Sequence, residues 1–353
     1  MNIQNPMSFN LNMFSVNMFS VNKICKHKLL KPLSKALACA VLIISSFDQA
    51  SFAQSYPTKP ITLIAPFAPG GNVDIVARAL AQSLSSVTGQ SVVVDNKAGA
   101  GGGIGSAFVA NAPADGYTLL VATTNTVSVL PFMVKNPTYK PTSFQPVGLL
   151  AISPLLVEVR ADDKRFPDLK SFLEFARKSD QSISMGHSGQ GTSNHLAILK
   201  IEEGTHVNFN IIPYKGSTPA LTDLMGGQLD AVVDQITSSK SFIDSGKLRV
   251  LAVLSPERET ALPLVPTFKE LTNSPLQANT TTGLLAPVGT PQTVINALNA
   301  ALKKVEQDPA FINRLNFVGS IAKTSTPKEW GDILAAEAAN SKRLVDMGKL
   351  KVE

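Results

Sequence analysis

A serine between two histidines is an arrangement that could supply a nucleophile. Ser188 directly follows His187, and His195 lies a short distance further along the chain. Residues 186–190 approach the Gly-x-Ser-x-Gly elbow of serine hydrolases, but Gln190 stands where the last glycine belongs. We therefore favour a loop that offers hydroxyls and amides to a ligand. An exported serine hydrolase using Ser188 with His187 or His195 is the alternative.

A proline- and glycine-rich turn could bind an oxyanion without a cationic side chain. Residues 61–65 are apolar and favour a strand, and after two prolines Gly70 and Gly71 would let the backbone approach a ligand. The spacing of the next apolar residues predicts a helix with Asn72 as its cap and Asp74 in its first turn. The free amides at that helix start could hold the oxyanion. A strand-to-helix joint without a ligand is an equally weighted alternative.

The same pattern returns in the second half of the chain. Residues 211–220 again place proline, an aromatic residue, glycine and a predicted helix after an apolar strand, so that Pro213-Tyr214 repeats Pro66-Phe67. Two such turns predict two lobes that face each other, each contributing one side of a binding cleft. Chance recurrence of so short a pattern is the alternative.

Four small hydrogen-bonding residues follow the predicted strand 117–122, namely Thr123, Thr124, Asn125 and Thr126. Ligands of open α/β sheets bind at the carboxyl ends of strands, which makes these side chains candidates for the cleft. An ordinary capping turn explains them equally well.

The glycine-rich segment 99–105 does not have the spacing of a nucleotide-binding loop. Counting from Gly99 and Gly101, the third glycine of the dinucleotide motif would fall at Ile104, and no Gly-Lys-Ser/Thr follows. We favour a structural turn with close backbone packing over a nucleotide site, with a wall of the cleft as a further alternative, and we expect no cofactor.

Three aspartates in the second half do not make a convincing metal site. Asp223, Asp230 and Asp234 share no short ligand spacing with any of the three histidines that follow residue 53. We expect no metal. A capping role for Asp234 is favoured over one in which it points into the cleft.

Strand and helix patterns alternate along the chain, which predicts an α/β fold. Near the C-terminus, Thr290 is a natural helix cap with Pro291 at the first helical position. Thr326 and Glu329 have the spacing of a capping box, and Trp330 lies on the apolar face of the helix that follows.

The N-terminus has the features of a secretory signal. Five lysines between residues 23 and 35 precede an apolar run over residues 36–44, and Ser51-Phe52-Ala53 before Gln54 fits a cleavage site. We therefore expect residues 1–53 to be a signal peptide that is removed, and the mature protein to reside in the periplasm.

Both cysteines, Cys25 and Cys39, fall within the expected signal peptide. A mature chain starting at Gln54 would contain no disulfide and could not use thiolate catalysis or a cysteine metal site. Cys39 stands at the front of the apolar run, whereas a lipidated cysteine would follow it, so lipidation is disfavoured.

The small net charge of the expected mature chain argues against nucleic acid and anionic lipid as partners. The whole chain carries a net charge of +6, but without the signal peptide 27 Lys and Arg residues stand against 25 Asp and Glu residues. No basic cluster of the kind that binds nucleic acid or anionic lipid is present in the sequence. We expect no nucleic-acid partner.

Several segments together resemble the Bug family, the periplasmic solute receptors of tripartite tricarboxylate transporters. They are residues 56–61, 66–74, 95–105, 113–120, 213–216, 223–230, 246–249 and 284–291, in order along the expected mature chain. The resemblance implies a two-lobed type II periplasmic binding protein of Venus-flytrap form, each lobe a mixed sheet flanked by helices. It also implies a monomer without enzymatic activity that closes on a small carboxylated solute and delivers it to a membrane permease.

The resemblance also places the ligand. It implies a first ligand loop at Phe67, Ala68, Pro69, Gly70, Gly71 and Asp74, and a second at Tyr214, Lys215, Gly216, Ser217, Pro219 and Ala220. The positions that shape the rest of the pocket are Thr124, Asn125, Ser188, Thr192, Ser193 and His195. In this family a carboxylate is held through backbone amides and bridging water, which suits loops that contain no arginine.

The resemblance implies one division of the chain and leaves one feature unexplained. Residues 54–155 with 281–353 would form lobe 1, and residues 156–280 would form lobe 2. Residues 279–282 read Asn-Thr-Thr-Thr where the family often carries aromatic residues, and residues 186–188 are more polar than usual. Both departures concern the identity of the ligand.

Overall fold

Ten strands and twelve helices organise the part of the chain that this computed structural model describes, which is residues 56–178, 183–348, 350 and 352. The strands are β1 (Ile61–Ala65), β2 (Val92–Asn96), β3 (Thr118–Thr123), β4 (Phe144–Arg160), β5 (Ser184–His187), β6 (Asn210–Pro213), β7 (Ala231–Gln235), β8 (Leu248–Val253), β9 (Asn279–Pro287) and β10 (Ile321–Ala322). The helices are α1 (Asn72–Thr88), α2 (Gly103–Ala110), α3 (Thr124–Ser128), α4 (Leu130–Met133), α5 (Leu169–Lys178), α6 (Ser193–Thr205), α7 (Ser217–Met225), α8 (Ile236–Asp244), α9 (Phe268–Thr272), α10 (Gln292–Val305), α11 (Pro309–Phe317) and α12 (Pro327–Asp346).

The long strand β4 belongs to two regions of one mixed sheet. The strand order is β2-β1-β3-β9-β4-β7-β5-β6, and β8 and β10 also pair with β4. Residues 144–154 of β4 pair antiparallel with β9, whereas residues 155–160 pair antiparallel with β7 and β8. Strands β1, β2 and β3 are mutually parallel, as are β5, β6 and β7. The expected α/β fold with a mixed sheet is confirmed.

Separate apolar clusters cover the two regions of the sheet. Around β1, β3 and β9, one face packs against α1, α10 and α11, and the other packs against Trp330 of α12. Around β5 and β7, Phe166 and Phe172 belong to one cluster, and Leu221 of α7 belongs to another. Each region therefore buries its own apolar side chains, as a lobe does.

The pairing partners of β4 change between Pro154 and Leu155. This change supports our proposal that residues 54–155 with 281–353 form lobe 1, and that residues 156–280 form lobe 2. In this division β4 and β9 are the strands that pass between the lobes near the cleft.

Local sequence signals predict one helix start correctly and two incorrectly. The capping box of Thr326 and Glu329 is present at α12. The expectation that Thr290 caps α10 is wrong, because its hydroxyl donates to the Pro287 carbonyl instead, 2.8 Å away, and the helix begins at Gln292. Asn72 does not cap α1 either, because it is already the first helical residue and its side chain bonds to residues of β4 and β9.

The N-terminal segment, membrane-spanning helices and metal sites are the remaining points of comparison. The expected signal peptide, residues 1–53, lies outside the described residues together with both cysteines. Among the residues that are described, no helix combines the length and apolar character required to cross a bilayer. The same residues contain no group of three or more His, Cys, Asp or Glu side chains placed to hold a metal ion.

Gly283 of β9 provides a test of the packing in lobe 1. A Cβ atom at this position would lie 2.4 Å from Cε2 of Trp330, whose side chain is fully buried. We expect Gly283→Ala to lower the free energy of unfolding by about 1–3 kcal/mol, because the buried indole must move. Urea denaturation followed by circular dichroism measures this change.

The matched control is the same substitution at Gly331, in the helix that carries Trp330. A Cβ atom there would lie 3.3 Å from Cγ of Pro146, a contact that a small shift relieves. Since alanine is the better helix former by about 1 kcal/mol, Gly331→Ala should be neutral or stabilising. Equal effects of the two substitutions would contradict the packing described here.

Candidate functional site

The two predicted ligand loops meet in the structure. The Ala68 amide donates to the Lys215 carbonyl across 3.3 Å, and the Thr218 hydroxyl donates to the Pro69 carbonyl across 2.7 Å. These bonds join the turn before α1 to the turn before α7. The cleft between the two regions of the sheet is therefore closed in this structure.

Glycine is required where the two loops approach each other. Gly70 has a φ of 79° and Gly216 a φ of 150°, conformations that other residues rarely adopt. A Cβ atom on Gly216 would lie 3.0 Å from the Ala68 amide nitrogen, and one on Gly70 would lie 3.2 Å from the Thr218 hydroxyl oxygen. Backbone conformation and close approach both account for these glycines.

A small cavity of about 20 Å³ lies where the loops meet. The expected site residues on its wall are Phe67, Gly71, Ser188, Thr192, Ser193 and Ser217. The wall also includes Thr123, which its place after the predicted strand 117–122 made a candidate for the cleft. Residues on the wall that the sequence did not assign to the site are Asn72, Val73, Asn194 and Gln235. The lining contains no Lys, Arg, His, Asp or Glu among the described residues, so its polar groups are hydroxyls, side-chain amides and backbone amides.

Other expected site residues line separate hollows. Tyr214, Lys215 and Pro219 line one hollow, which they share with the glycine-rich segment at Gly101. Thr124 and Asn125 line another, which contacts Ser193 as well. The structure therefore does not bring these five expected residues into the cavity wall.

Asp74 acts on the first loop through hydrogen bonds. Its buried carboxylate accepts from the Gly70 amide at 2.8 Å, from Asn96 Nδ2 at 2.9 Å and from Arg78 Nε at 3.0 Å. These bonds hold the turn in the conformation that brings Gly71 to the cavity. Of the remaining expected residues, Ala220 is fully buried in the apolar cluster of α7.

The two histidines near Ser188 are stacked on each other. The ring centroids of His187 and His195 lie 4.6 Å apart, and His187 is fully buried. Burial, and then the neighbouring His195, lower the pKa of His187 to about 3. His187 Nδ1 lies 3.1 Å from the Gly189 amide, which donates to it. His187 is therefore neutral at pH 7 and a weak base, while Ser188 lies on the cavity wall.

Asp234 lies directly behind the cavity wall. Its Oδ1 accepts from Ser217 Oγ at 2.6 Å and from Asn194 Nδ2 at 3.0 Å, and its Oδ2 accepts from Ser238 Oγ at 2.6 Å. The favoured capping role is wrong, because α8 is capped at Gln235 without a side-chain bond. Burial raises the pKa of Asp234 to about 6, although the hydrogen bonds oppose this change. Three hydrogen bonds of 3.0 Å or less to its oxygens favour the ionised form of the carboxylate.

A second buried carboxylate lies next to Asp234. Glu158 of β4 is fully buried, its Oε2 accepts from Ser239 Oγ at 2.8 Å, and its Oε1 has no partner among the described residues. Burial and the nearby Asp234 charge raise the pKa of Glu158 well above its usual range. Burial therefore favours the protonated form of Glu158.

The residues that sequence reasoning missed stand beside ones that it named. Asn194 lies between two expected residues of α6, Ser193 and His195. Gln235 is the last residue of β7, at the carboxyl end of a strand, where ligands of α/β sheets bind. That rule, applied to β7 as it was to β3, would have found Gln235.

Comparison with known proteins gives a consistent result. Residues 76–349 match the sequence profile described as tripartite tricarboxylate transporter family receptor. A UPF0065 protein from the tcbD-tcbE intergenic region of Pseudomonas sp. strain P51 is 36% identical, covering 87% of this chain and 91% of the relative. Protein BugT of Bordetella pertussis is 34% identical, covering 81% and 88% of the two chains.

Solved structures similar to this one include proteins solved with a carboxylate. The periplasmic binding protein BugD is 35% identical with a TM-score of 0.79, covering 84% of this chain and all of its own. MatC from Rhodopseudomonas palustris, solved with bound malate, is 29% identical with a TM-score of 0.77, covering 82% and 100%. A second R. palustris protein, solved with adipate, is 29% identical with a TM-score of 0.80, covering 84% and 100%.

The protonated state of Glu158 predicts a pH dependence of stability. Because its folded pKa is raised, its contribution to stability is full below its unfolded pKa and is lost as the pH rises through the folded pKa. We expect the unfolding free energy of the wild type to fall relative to that of Glu158→Gln as the pH is raised from 5 to 9. Urea denaturation across this range measures the difference.

The matched control is Glu174→Gln, which removes a carboxylate from a side chain of α5 that is 45% exposed. This variant should follow the wild-type pH dependence throughout the range. Parallel curves for the wild type and Glu158→Gln would show that Glu158 is ionised at neutral pH in the folded protein, contrary to the description above.

Proposed function

We propose that this chain, which belongs to the family of tripartite tricarboxylate transporter receptors, captures a small carboxylated organic anion between its two lobes. The observation that carries the proposal is the cavity where the two ligand loops meet. Its wall contains hydroxyl and amide groups from both lobes and, among the described residues, no ionisable side chain.

Three helix N-termini supply the groups that would bind the anion. The cavity wall includes Gly71, Asn72 and Val73 at the start of α1, Ser193 at the start of α6 and Ser217 at the start of α7. The first amides of a helix have no partner within the helix, and the helix dipole favours negative charge there. A carboxylate would therefore be stabilised without arginine or lysine.

The expected strength of such binding is sufficient for a receptor. Each charge-assisted hydrogen bond to a carboxylate contributes about 1.5–3 kcal/mol, from which the loss of freedom on binding must be subtracted. Four such bonds at about 3 kcal/mol each, less an association cost of about 4 kcal/mol, leave about 8 kcal/mol, which corresponds to micromolar affinity.

Binding between the lobes also favours the closed form. An anion that contacts the start of α1 and the start of α7 gains both sets of bonds only when the loops meet, as they do at Ala68 and Lys215. A ligand shifts a conformational equilibrium by its difference in affinity for the two states. Closure is thus the expected response to the solute.

The proposal also covers the class of solute, the cellular location and the delivery of the solute. The relatives solved with malate and adipate support a carboxylate as the ligand of this chain. The signal features of the first 53 residues support a periplasmic location, and the family membership supports delivery of the solute to a membrane permease. We propose that the receptor acts as a monomer.

We further propose that the solute is bound and released without chemical change. A serine hydrolase would need a base next to Ser188. The pKa of His187, lowered to about 3, makes its ring a poor proton acceptor at neutral pH. This property counts against the hydrolase alternative for His187.

Ligand binding should stabilise the protein. At a ligand concentration of about 100 times the dissociation constant, the free energy of unfolding should rise by about 2.7 kcal/mol. Thermal denaturation with a panel of mono-, di- and tricarboxylates measures this as a raised melting temperature, and mass spectrometry after incubation should recover the ligand intact. A panel in which no acid changes the melting temperature would contradict the proposal. Ester turnover that is lost in Ser188→Ala would support hydrolysis instead.

The loop glycines should be needed for binding more than for folding. We expect Gly70→Val and Gly216→Val each to weaken binding by about a hundredfold or more, which corresponds to about 2.8 kcal/mol, because the loops can no longer meet. Isothermal titration calorimetry with an acid selected from the panel measures this loss.

Gly246→Val is the control for backbone strain. Gly246 has a φ of 70°, close to that of Gly70, but a Cβ atom there would have no neighbour within 4 Å. Strain of about 1–2 kcal/mol is therefore shared with the Gly70 variant, while the dissociation constant should stay at the wild-type value. Equal loss of binding in the control would indicate that the loop glycines act only through stability.

A further inference from the structure

We infer that Asp234 makes the cavity selective for carboxylates that also carry a hydrogen-bond donor, a hydroxyl or an ammonium group, on the carbon chain. This inference rests on the proposed receptor function and specifies its class of solute. Asp234 is a positioning residue in this account, because it is fully buried behind the wall and acts through the residues that line the cavity.

The Ser217 hydroxyl turns its hydrogen away from the cavity. Ser217 Oγ lies 2.6 Å from Asp234 Oδ1, and an ionised carboxylate can only accept a hydrogen bond. A serine hydroxyl has one hydrogen and two lone pairs. At the cavity, Ser217 therefore presents an acceptor.

The side-chain amides of the same wall are also engaged within the protein. Asn194 Nδ2 donates to the Val233 carbonyl at 2.9 Å and to Asp234 Oδ1 at 3.0 Å, which uses both of its hydrogens. Gln235 Nε2 donates to Asn194 Oδ1 and to Thr280 Oγ1, each at 2.8 Å. The Gln235 oxygen has only longer contacts, 3.3 Å from Ser217 Oγ and 3.4 Å from Asn194 Nδ2, and so retains capacity to accept.

Thr192 extends this pattern to the start of α6. Its hydroxyl donates to the Gly189 carbonyl at 2.6 Å, so its hydrogen is also directed into the protein. Ser188 is the exception on this wall, because the structure gives its hydroxyl no such bond among the described residues. In the bond between Ser193 Oγ and Thr280 Oγ1 either hydroxyl can be the donor. Apart from Ser188 and Ser193, the side chains of the lobe 2 wall therefore offer acceptors.

Negative charge behind the lobe 2 wall also favours a ligand group that donates a hydrogen bond. Asp234 and Glu158 are both fully buried, and neither forms an ion pair with a Lys or Arg among the described residues. Glu158 is the titratable group that faces Asp234 from β4, while His187 on β5 is held neutral by burial and by His195 on α6. The net charge behind this wall is therefore negative. A group that donates a hydrogen bond is stabilised there, whereas a second carboxylate is repelled.

The acceptors on the wall and the negative charge behind it together define the class of solute. Its carboxylate binds main-chain amides at the helix starts, and a hydroxyl or ammonium group on the chain donates to Ser217 Oγ or Gln235 Oε1. A dicarboxylate without such a group would leave these acceptors buried and unpaired, which is unfavourable. The solutes selected in this way share a polarised N–H or O–H group on the carbon chain.

The test compares matched acids on the wild-type protein by isothermal titration calorimetry at pH 7.5. The pairs are malate and succinate, aspartate and succinate, 2-hydroxyglutarate and glutarate, and lactate and propionate. We expect the donor-bearing acid of at least one pair to bind about tenfold or more tightly. Comparison of malate with aspartate then distinguishes a hydroxyl from an ammonium ligand.

Variants separate this selectivity from general stability. In Asp234→Asn, the new amide can donate to Ser217 Oγ, which frees the serine hydrogen for the cavity, so the preference should fall below about threefold while binding of the donor-free acid improves. Ser217→Ala removes the acceptor itself and should reduce the same ratio. A purely structural role for Asp234 would weaken both acids of a pair equally and leave the ratio unchanged.

The outcomes also separate this inference from the proposed function. If no acid of any class binds the wild-type protein, both are overturned. If acids bind but no pair differs by more than about threefold, or the donor-free acids bind more tightly, the receptor function stands and the selectivity is overturned. An unchanged ratio in a folded Asp234→Asn variant would likewise overturn the role of Asp234.

Discussion

Backbone contact between two turns is the interaction on which the rest of this site depends. The Ala68 amide and the Lys215 carbonyl come within hydrogen-bond distance because glycines at the neighbouring positions leave no side chain between the loops. The contact brings residues at the starts of α1 and α7 to the wall of one cavity. A site built from main-chain amides requires this arrangement, because an amide cannot reach a ligand as a long side chain can.

The cavity is connected to the strands that pass between the lobes. Ser153 of β4 and Thr280 of β9 are paired in the sheet, and each bonds to a residue of the cavity wall. Ser153 donates to Asn72 Oδ1 at 2.8 Å and accepts from Thr237 at 3.1 Å, while Thr280 accepts from Gln235 at 2.8 Å. These strands therefore support wall residues that come from both regions of the sheet.

Ionisation of two buried carboxylates beside the proposed anion site would be unfavourable. Hydrogen bonds explain how one charge is tolerated. Asp234 accepts three bonds of 3.0 Å or less, which stabilise its ionised form against burial. Glu158 has one such bond, and burial together with the Asp234 charge raises its pKa, which favours its protonated form. The charged carboxylate thus orients its donors, and the orientation of these donors determines what the cavity can recognise.

The sequence by itself determined the α/β fold, the family resemblance and the two turns, because strand and helix periodicity, glycine and proline act over a few neighbouring residues. It also identified Phe67, Gly71 and Ser217, which stand within those turns, as site residues. Only the tertiary structure decided that Asn72 bonds to β4 and β9 rather than capping α1, and that Gln235 lies on the cavity wall. The role of Asp234 was decided in the same way, because its partners Ser217 and Asn194 come from two other helices. Local patterns specify backbone conformation, but the partner of a buried polar side chain depends on which distant segments fold against it.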